Sequence, residues 1–309
     1  MIYISLDEHR EFYFTKFKSF ENKNVYSTFK EFSPILAERR FFQHLKTNEV
    51  LEYIDFLNQI RALAMHPIGL GVALSAMPEV NLCGNILGIS NKIEFLNQLC
   101  DGNKIFSMAV SEKGWKGRLK NMKTTFLEIN NERVLVGSKG FATNGRNPDY
   151  YLIVAKIQLN YEAFLLPLNT AGLEINPFDL NYAREATHAE IHFHQIPESK
   201  LIKLDIQYNE HAKSLRILEM FSFQIILLGF IDRIRKEKSI PSELNLLIEN
   251  FENEITAIID RLKNQSRFTL NSKDLKWASL LVEPLQNYLP EIKNYSEWEL
   301  FKILLPTED

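Results

Sequence analysis

Three histidines stand at same-face spacing in the segment HAEIHFH. His188, His192 and His194 share parity, so on a strand they would point to one side, with the last two about 7 Å apart. Two imidazoles at that distance could bridge one metal ion. No carboxylate or cysteine stands at a fixed spacing to complete a ligand set, so a packed strand is the favoured interpretation and no metal site is predicted.

A second unusual segment precedes the histidines. Residues 136–145 read VGSKGFATNG and place three glycines around Phe141 and Thr143, directly after the alternating stretch 126–136. Glycine and the Thr-Asn pair are typical of tight turns, so the segment is predicted to be a turn. An aromatic core residue with a turn hydroxyl remains an alternative to a binding role for these two side chains.

Several function classes have no support in the sequence. No G-x-S-x-G, G-x-G-x-x-G or Walker motif is present, which argues against hydrolase, nicotinamide-binding and nucleotidase functions. The net charge is −3, with acidic and basic residues interspersed, so nucleic acid is not an expected partner.

Cysteine usage and hydropathy indicate the compartment. Cys83 and Cys100 are too few for a disulfide framework and lack metal-site spacing, so free buried thiols in a reducing compartment are expected. Charges at positions 7–10 interrupt any signal peptide, and the longest apolar stretch, 221–231, is shorter than the ~20 residues that span a bilayer. We expect a cytoplasmic protein without a membrane partner.

Hydrophobic periodicity divides the chain into three parts. Residues 1–103 include helical patterns such as VLEYIDFLNQIRAL, and residues 104–200 contain short runs such as YYLIVAKIQL between Gly, Asn and Pro turns. Helical spacing returns in residues 201–309. The pattern predicts an α+β chain with an N-terminal helical domain, a middle antiparallel β-barrel-like domain and a C-terminal helical domain.

This order of elements, together with FSMAVSE (106–112), VGSKGFATNG and REATHAEIHFHQIP (184–197), resembles the acyl-CoA dehydrogenase family. The resemblance runs over about residues 60–260. It implies the fold of that family, with a shortened C-terminal helical bundle. It also implies FAD as the cofactor and an acyl-CoA or acyl-carrier thioester as the substrate, which the family oxidises between Cα and Cβ.

The resemblance also implies roles for individual residues. Phe141 corresponds to the aromatic residue that lies against the flavin ring, and Thr143 to the residue that binds the flavin N5 edge. Val110 and Ser111 correspond to the pair that borders the flavin. Arg216 corresponds to an arginine near the path of the acyl thioester.

The catalytic carboxylate of the family has no direct counterpart. One family position holds Leu215, and no Y-x-x-E-G loop precedes the C-terminus. Glu219, one turn from Leu215, and Glu299 are the nearest substitutes, although an ordinary exposed helix glutamate has the same spacing. Pro241 also replaces an arginine that reaches the FAD pyrophosphate in the family. The catalytic residue therefore stays unassigned, and little or no dehydrogenase turnover is expected.

Two functions from different classes follow. The first is an acyl-CoA dehydrogenase-like enzyme that binds FAD and an acyl thioester. The second is a non-catalytic partner subunit or scaffold of a hetero-oligomeric complex, without tightly bound flavin. The resemblance implies a homo-oligomer, or a hetero-oligomer with a full-length homologue, and a flavin spectrum of the purified protein would distinguish the two functions.

Overall fold

The computed structural model describes residues 4–21, 28–180, 183–265, 269–275 and 277–288, together with residues 292, 298 and 301. Helices precede and follow one sheet, in the predicted order. The helices are α1 Leu6–Phe17, α2 Phe29–Glu38, α3 Gln43–Thr47, α4 Val50–Ala64, α5 Pro67–Pro78, α6 Asn85–Ile89, α7 Ile93–Cys100, α8 Tyr208–Glu237, α9 Ser242–Lys263 and α10 Trp277–Tyr288. A π-helical turn, Glu79–Gly84, joins α5 to α6.

The sheet has eight strands, and most neighbouring strands are antiparallel. The strands are β1 Phe106–Ala109, β2 Thr125–Ile129, β3 Glu132–Thr143, β4 Tyr150–Ile157, β5 Asn160–Pro167, β6 Leu173–Phe178, β7 His188–Pro197 and β8 Ile202–Gln207. The order is β6-β7-β3-β2-β4-β5-β8, with β1 paired to β4. Short 3₁₀ helices lie at Leu119–Asn121, Glu198–Lys200 and Ser272–Leu275.

Three details of the sheet differ from the sequence prediction. β1 pairs with β4 in parallel, so the sheet is mixed rather than wholly antiparallel. The described pairings form an open path from β6 to β8 rather than a closed barrel. The sheet also extends to Gln207, past the predicted boundary at residue 200. The division into three domains stays a prediction.

The predicted turn at residues 136–145 is wrong, because most of this segment is the end of β3. The ladder between β3 and β7 is interrupted between Leu135 and Gly137, and again between Lys139 and Ala142. Gly137 has φ +130°, and a Cβ there would lie 2.7 Å from the Thr124 Cα. Glycine thus permits the bulges in this paired strand, and Phe141 and Thr143 belong to the same strand.

Close packing of α4 against α8 fixes the helices beneath the sheet. A Cβ on Gly229 of α8 would lie 2.3 Å from the Arg61 carbonyl oxygen of α4, so only glycine permits this approach. Arg61 donates to the Asp232 carboxylate at 2.7 and 3.1 Å and also pairs with Glu252 of α9. These contacts hold α8 in place against α4 and α9.

The two longest apolar helical stretches lie mainly inside the protein. Pro67–Ile89 and Tyr208–Glu237 are each long and apolar enough to cross a membrane. The longest apolar run in the sequence, 221–231, is one part of the second stretch. Most of the apolar window in each stretch is buried in the fold, as in core helices of globular proteins. Cys83 and Cys100 are both free and buried, as predicted.

Candidate functional site

A cavity of about 470 Å³ opens between the sheet and two helices. Its walls come from α5, from β1 and the loop after it, from the ends of β3 and β7, and from the first half of α8. The lining residues are Leu74, Met77, Pro78, Leu82, Met108, Val110, Ser111, Trp115, Gly117, Leu119, Phe141, Thr143, Ala183, His188, Tyr208, Ala212, Arg216, Glu219 and Phe223. This volume is within the ~300–1,000 Å³ typical of small-molecule sites.

The cavity brings together every candidate residue that the structure describes. The six are Val110, Ser111, Phe141, Thr143, Arg216 and Glu219. They come from three separate parts of the chain, yet they face one space. Glu299 lies outside the described residues, although Trp298 before it is fully buried.

Backbone contacts hold the sheet wall of the cavity. The Ser107 hydroxyl donates to the Thr143 carbonyl oxygen at 2.7 Å, and this bond ties β1 to the end of β3. The Gly140 amide donates to the Ser111 carbonyl oxygen at 2.8 Å. These bonds hold the segments that carry Ser111 and Thr143 together in one wall.

A buried ion pair lies behind this wall. Lys139 Nζ donates to Glu112 Oε1 at 2.9 Å and to the Val110 carbonyl oxygen at 3.2 Å, and the lysine side chain is fully buried. The Glu112 carboxylate also accepts from the Lys123 and Thr124 amides at 2.7 and 3.0 Å. Burial lowers the pKa of Lys139 to about 8, although Glu112 opposes that shift. The pair fixes the chain that carries Val110 and Ser111.

An aromatic group forms one corner of the cavity. The Phe141 ring, still 42% exposed, lies 4.4 Å from the His188 ring at an interplanar angle of 36°. The His188 ring lies almost parallel to Phe178, 5.9 Å away. Neither His188 nitrogen has a hydrogen-bond partner among the residues that are described, and burial lowers the pKa of this imidazole to about 4. The corner thus offers an open aromatic face and a neutral imidazole.

The opposite wall of the cavity carries the charged groups. Arg216 Nη1 donates to Glu219 Oε2 at 2.6 Å, and the Glu219 side chain is only 17% exposed. Tyr208, at the start of α8, is buried; its pKa is raised first by burial and then by the Glu219 carboxylate. Glu219 is therefore a partly buried residue of the cavity wall, and its catalytic role stays a prediction.

The loop after β1 closes the mouth of the cavity with alternating side chains. Trp115, Gly117 and Leu119 line the cavity, while the side chains between them, Lys116 and Arg118, are exposed. Gly117 has φ +66°, and a Cβ there would meet no atom within 4 Å. The backbone at Gly117 is therefore open to close approach by a ligand.

Sequence analysis missed two polar cavity residues. His188 was considered only as a metal ligand, and no periodicity or motif singled out Tyr208. The other two histidines pair with acids: His192 Nε2 lies 3.2 Å from Glu190 Oε1, and His194 Nε2 lies 2.7 Å from Glu174 Oε2. Among the described residues no group of three or more His, Cys, Asp or Glu side chains is arranged to hold a metal ion.

Comparison with solved structures identifies the fold. Butyryl-CoA dehydrogenase from Megasphaera elsdenii matches with a TM-score of 0.75 and 15% identity, over 98% of this chain and 93% of that one. A glutaryl-CoA dehydrogenase from Mycobacterium smegmatis, in complex with FADH2, matches with a TM-score of 0.73 and 14% identity, over 98% and 90% of the two chains. The prolyl acyl carrier protein oxidase AnaB matches with a TM-score of 0.65 and 15% identity, over 97% and 93%.

No protein-family model matches the sequence, and no curated protein sequence matches it either. The chain therefore has the acyl-CoA dehydrogenase fold, which confirms the resemblance at the level of the fold. Identity of about 15% does not carry residue roles from these structures to this chain, so those roles are argued from the cavity itself.

Proposed function

We propose that this chain binds FAD and an acyl thioester in the cavity and oxidises the thioester between Cα and Cβ, with Glu219 accepting the Cα proton. This proposal departs from the sequence-based expectation of little or no turnover, because Glu219 supplies a carboxylate to the cavity wall. One observation carries the proposal: six residues that sequence analysis singled out, five by resemblance and Glu219 by its spacing from Leu215, converge on one cavity of about 470 Å³. The fold agrees with it, because glutaryl-CoA dehydrogenase, one of the matching structures, is in complex with FADH2.

The residues present fit a flavin ring. Phe141 offers an exposed aromatic face on which a planar ring can stack, and Ser111 and Thr143 place hydroxyl groups on the adjoining wall. The open backbone at Gly117 leaves room for the chain that extends from the ring. Val110 covers the wall between these polar groups with an apolar surface.

A flavin bound here would accept the hydride that leaves Cβ. The remaining steps belong to this chain. Arg216 holds Glu219 in one orientation through the 2.6 Å hydrogen bond, and the low exposure of Glu219 limits access by water. Phe223 and Met77 supply an apolar surface for the acyl group.

The charged loop at the cavity mouth supports a phosphate-bearing thioester as the ligand. Its five cations are exposed: Lys113, Lys116, Arg118, Lys120 and Lys123. Within the described residues only Lys113 forms an ion pair, to Glu190. Both CoA and the phosphopantetheine arm of a carrier protein bring phosphate to this position. Binding of acyl-pantetheine, acyl-CoA and acyl-carrier protein can be compared for the wild type and Lys116→Glu/Arg118→Glu. This comparison tests whether the loop binds the phosphate of the thioester ligand.

The test of the reaction is the variant Glu219→Gln, which keeps the size of the side chain and removes its basicity. The matched control is Glu210→Gln, which changes an exposed glutamate on the same helix. We expect turnover with FAD, an artificial electron acceptor and acyl-CoA to fall by ~10²–10⁴ in Glu219→Gln. Turnover of Glu210→Gln should remain at the wild-type value. Equal turnover in all three proteins would overturn the role of Glu219.

A non-catalytic partner subunit is the second candidate. The observation that favours it is the ion pair between Arg216 and Glu219, because the Arg216 guanidinium neutralises the carboxylate that must accept a proton. Leu246 and Leu247 on α9 are also exposed apolar side chains that a second subunit could cover. Flavin-free protein that forms a stable complex with an active homologue would favour this function.

A cytoplasmic location and an oligomeric state remain proposals. The two free thiols support the cytoplasmic location.

A further inference from the structure

The His188 side chain combines deep burial with a lack of hydrogen-bond partners in the part of the chain that the structure describes. It is 7% exposed, it lines the cavity, and neither ring nitrogen has a partner among the residues described. Nδ1 is fully buried, so Nε2 is the ring nitrogen that keeps access to the cavity. Buried polar groups are nearly always hydrogen-bonded in proteins, which makes an unpartnered group at a cavity wall a mark of a missing ligand.

The position of the imidazole proton follows from this burial. A proton on Nδ1 would be a buried donor without an acceptor, which costs more than leaving a lone pair there. The neutral ring therefore carries its proton on Nε2 and presents a donor to the cavity. Phe141 and Phe178 pack on the ring and hold it in one orientation.

The partner of this donor must be an acceptor on the bound ligand. His188 is the cross-strand neighbour of Thr143, and its ring packs on Phe141, whose exposed face is the surface available for stacking. A flavin ring carries its carbonyl oxygens and unprotonated nitrogens on the pyrimidine half, whereas its dimethylbenzene half has no acceptor. Of the two halves of the ring, the pyrimidine half is therefore the one that can satisfy a donor at this corner.

We propose that His188 donates Nε2–H to the pyrimidine half of the flavin ring and so fixes the orientation of the ring in the cavity. This inference rests on the proposed function, because it requires a flavin in the cavity. It adds a binding residue on β7 to the residues that motif comparison selected.

The test uses a second buried histidine as the control. His44 is 6% exposed, and both its ring nitrogens lack partners among the described residues, but it packs between Tyr53 and Phe56 and does not line the cavity. Binding of riboflavin and of FAD would be measured by quenching of flavin fluorescence. The variants are His188→Phe, which keeps a planar ring without a donor, His188→Gln, which keeps a donor, and His44→Phe.

We expect His188→Phe to bind both flavins about 3- to 10-fold more weakly, as the loss of one neutral hydrogen bond predicts. His188→Gln should stay within about threefold of the wild type, and His44→Phe should match it. The absorption spectrum of bound flavin should shift towards that of free flavin only in His188→Phe, since packing changes alone would not remove a hydrogen bond to the ring edge.

Three results would overturn the inference in different ways. If the wild type binds flavin and His188→Phe binds it with the same affinity and spectrum, His188 is not the donor and the proposed function stands. If the wild type binds neither flavin, the proposed function fails and the inference fails with it. Equal weakening in His188→Phe and His44→Phe would assign the effect to lost folding stability and would also refute the role.

Discussion

Replacing Lys139 with methionine tests whether the buried ion pair builds the sheet wall of the cavity. Methionine keeps an unbranched side chain of similar length but removes the ammonium and its bonds to Glu112 and to the Val110 carbonyl oxygen. The Glu112 carboxylate then remains buried, with only the amides of Lys123 and Thr124 as donors. The variant therefore leaves one charge without its counter-charge.

The magnitude follows from the contacts that remain. Removing one partner of a buried ion pair costs about 3–5 kcal/mol. Because Glu112 keeps two amide hydrogen bonds, we expect the free energy of unfolding to fall by about 3 kcal/mol, at the lower end of this range. Burial raises the pKa of Glu112 and Lys139 lowers it below its usual value, so this pKa should rise in the variant.

Urea unfolding at neutral pH measures the effect. The double variant Lys139→Met/Glu112→Gln should be more stable than the sum of the two single changes predicts, because it buries no unpaired charge. Flavin binding by Lys139→Met should also weaken, since Val110 and Ser111 lose their support. A free energy of unfolding within about 1 kcal/mol of the wild type would refute the reasoning.

Three further variants test individual contacts. The pKa of His44 is lowered by burial to about 3 against 6.5 in the unfolded chain, so the unfolded state binds more protons between these values and stability is lost as pH falls through this window. His44→Phe should remove this loss, about 2 kcal/mol at pH 5 by urea unfolding; an unchanged pH dependence would contradict this. In Gly229→Ala the new Cβ would lie 2.3 Å from the Arg61 carbonyl oxygen, a backbone atom, so the melting temperature should fall, whereas Gly88→Ala, whose nearest neighbour is 3.9 Å away, should not lower it. Phe141→Ala should weaken riboflavin binding roughly tenfold with less than about 1 kcal/mol lost in unfolding, because the ring is 42% exposed; unchanged binding would show that no ring stacks there.

Periodicity predicted the long helices because their buried faces are regular. The segments around α4 and α8 repeat apolar residues at helical spacing, and the structure has helices at Val50–Ala64 and Tyr208–Glu237. Two strands were not identified from the sequence. β6 reads LEINPF, with a proline that only an edge strand accepts. β8 reads IKLDIQ, where apolar and polar residues alternate as in a half-buried strand, but the run is short and lies directly before a long helical pattern.

The site was predictable in residue type but not in arrangement. Glycine content indicated a turn at 136–145, because local composition does not reveal that bulges opposite β7 can absorb the irregular residues. The position of Glu219 depends on how α8 packs across the cavity, and helical spacing gives only its face. The burial of His188 between two aromatic rings depends on contacts among β3, β6 and β7, which are distant in sequence.

The most direct test of the account is an anaerobic mixing experiment with FAD-reconstituted protein and an acyl-CoA, followed by the absorbance of the flavin. The account predicts that the wild type retains FAD and that the flavin absorbance is bleached when the thioester is added. Glu219→Gln should retain FAD with the same spectrum and show no bleaching on the same timescale. Protein that retains no FAD, or a Glu219→Gln variant that bleaches as fast as the wild type, would contradict the account.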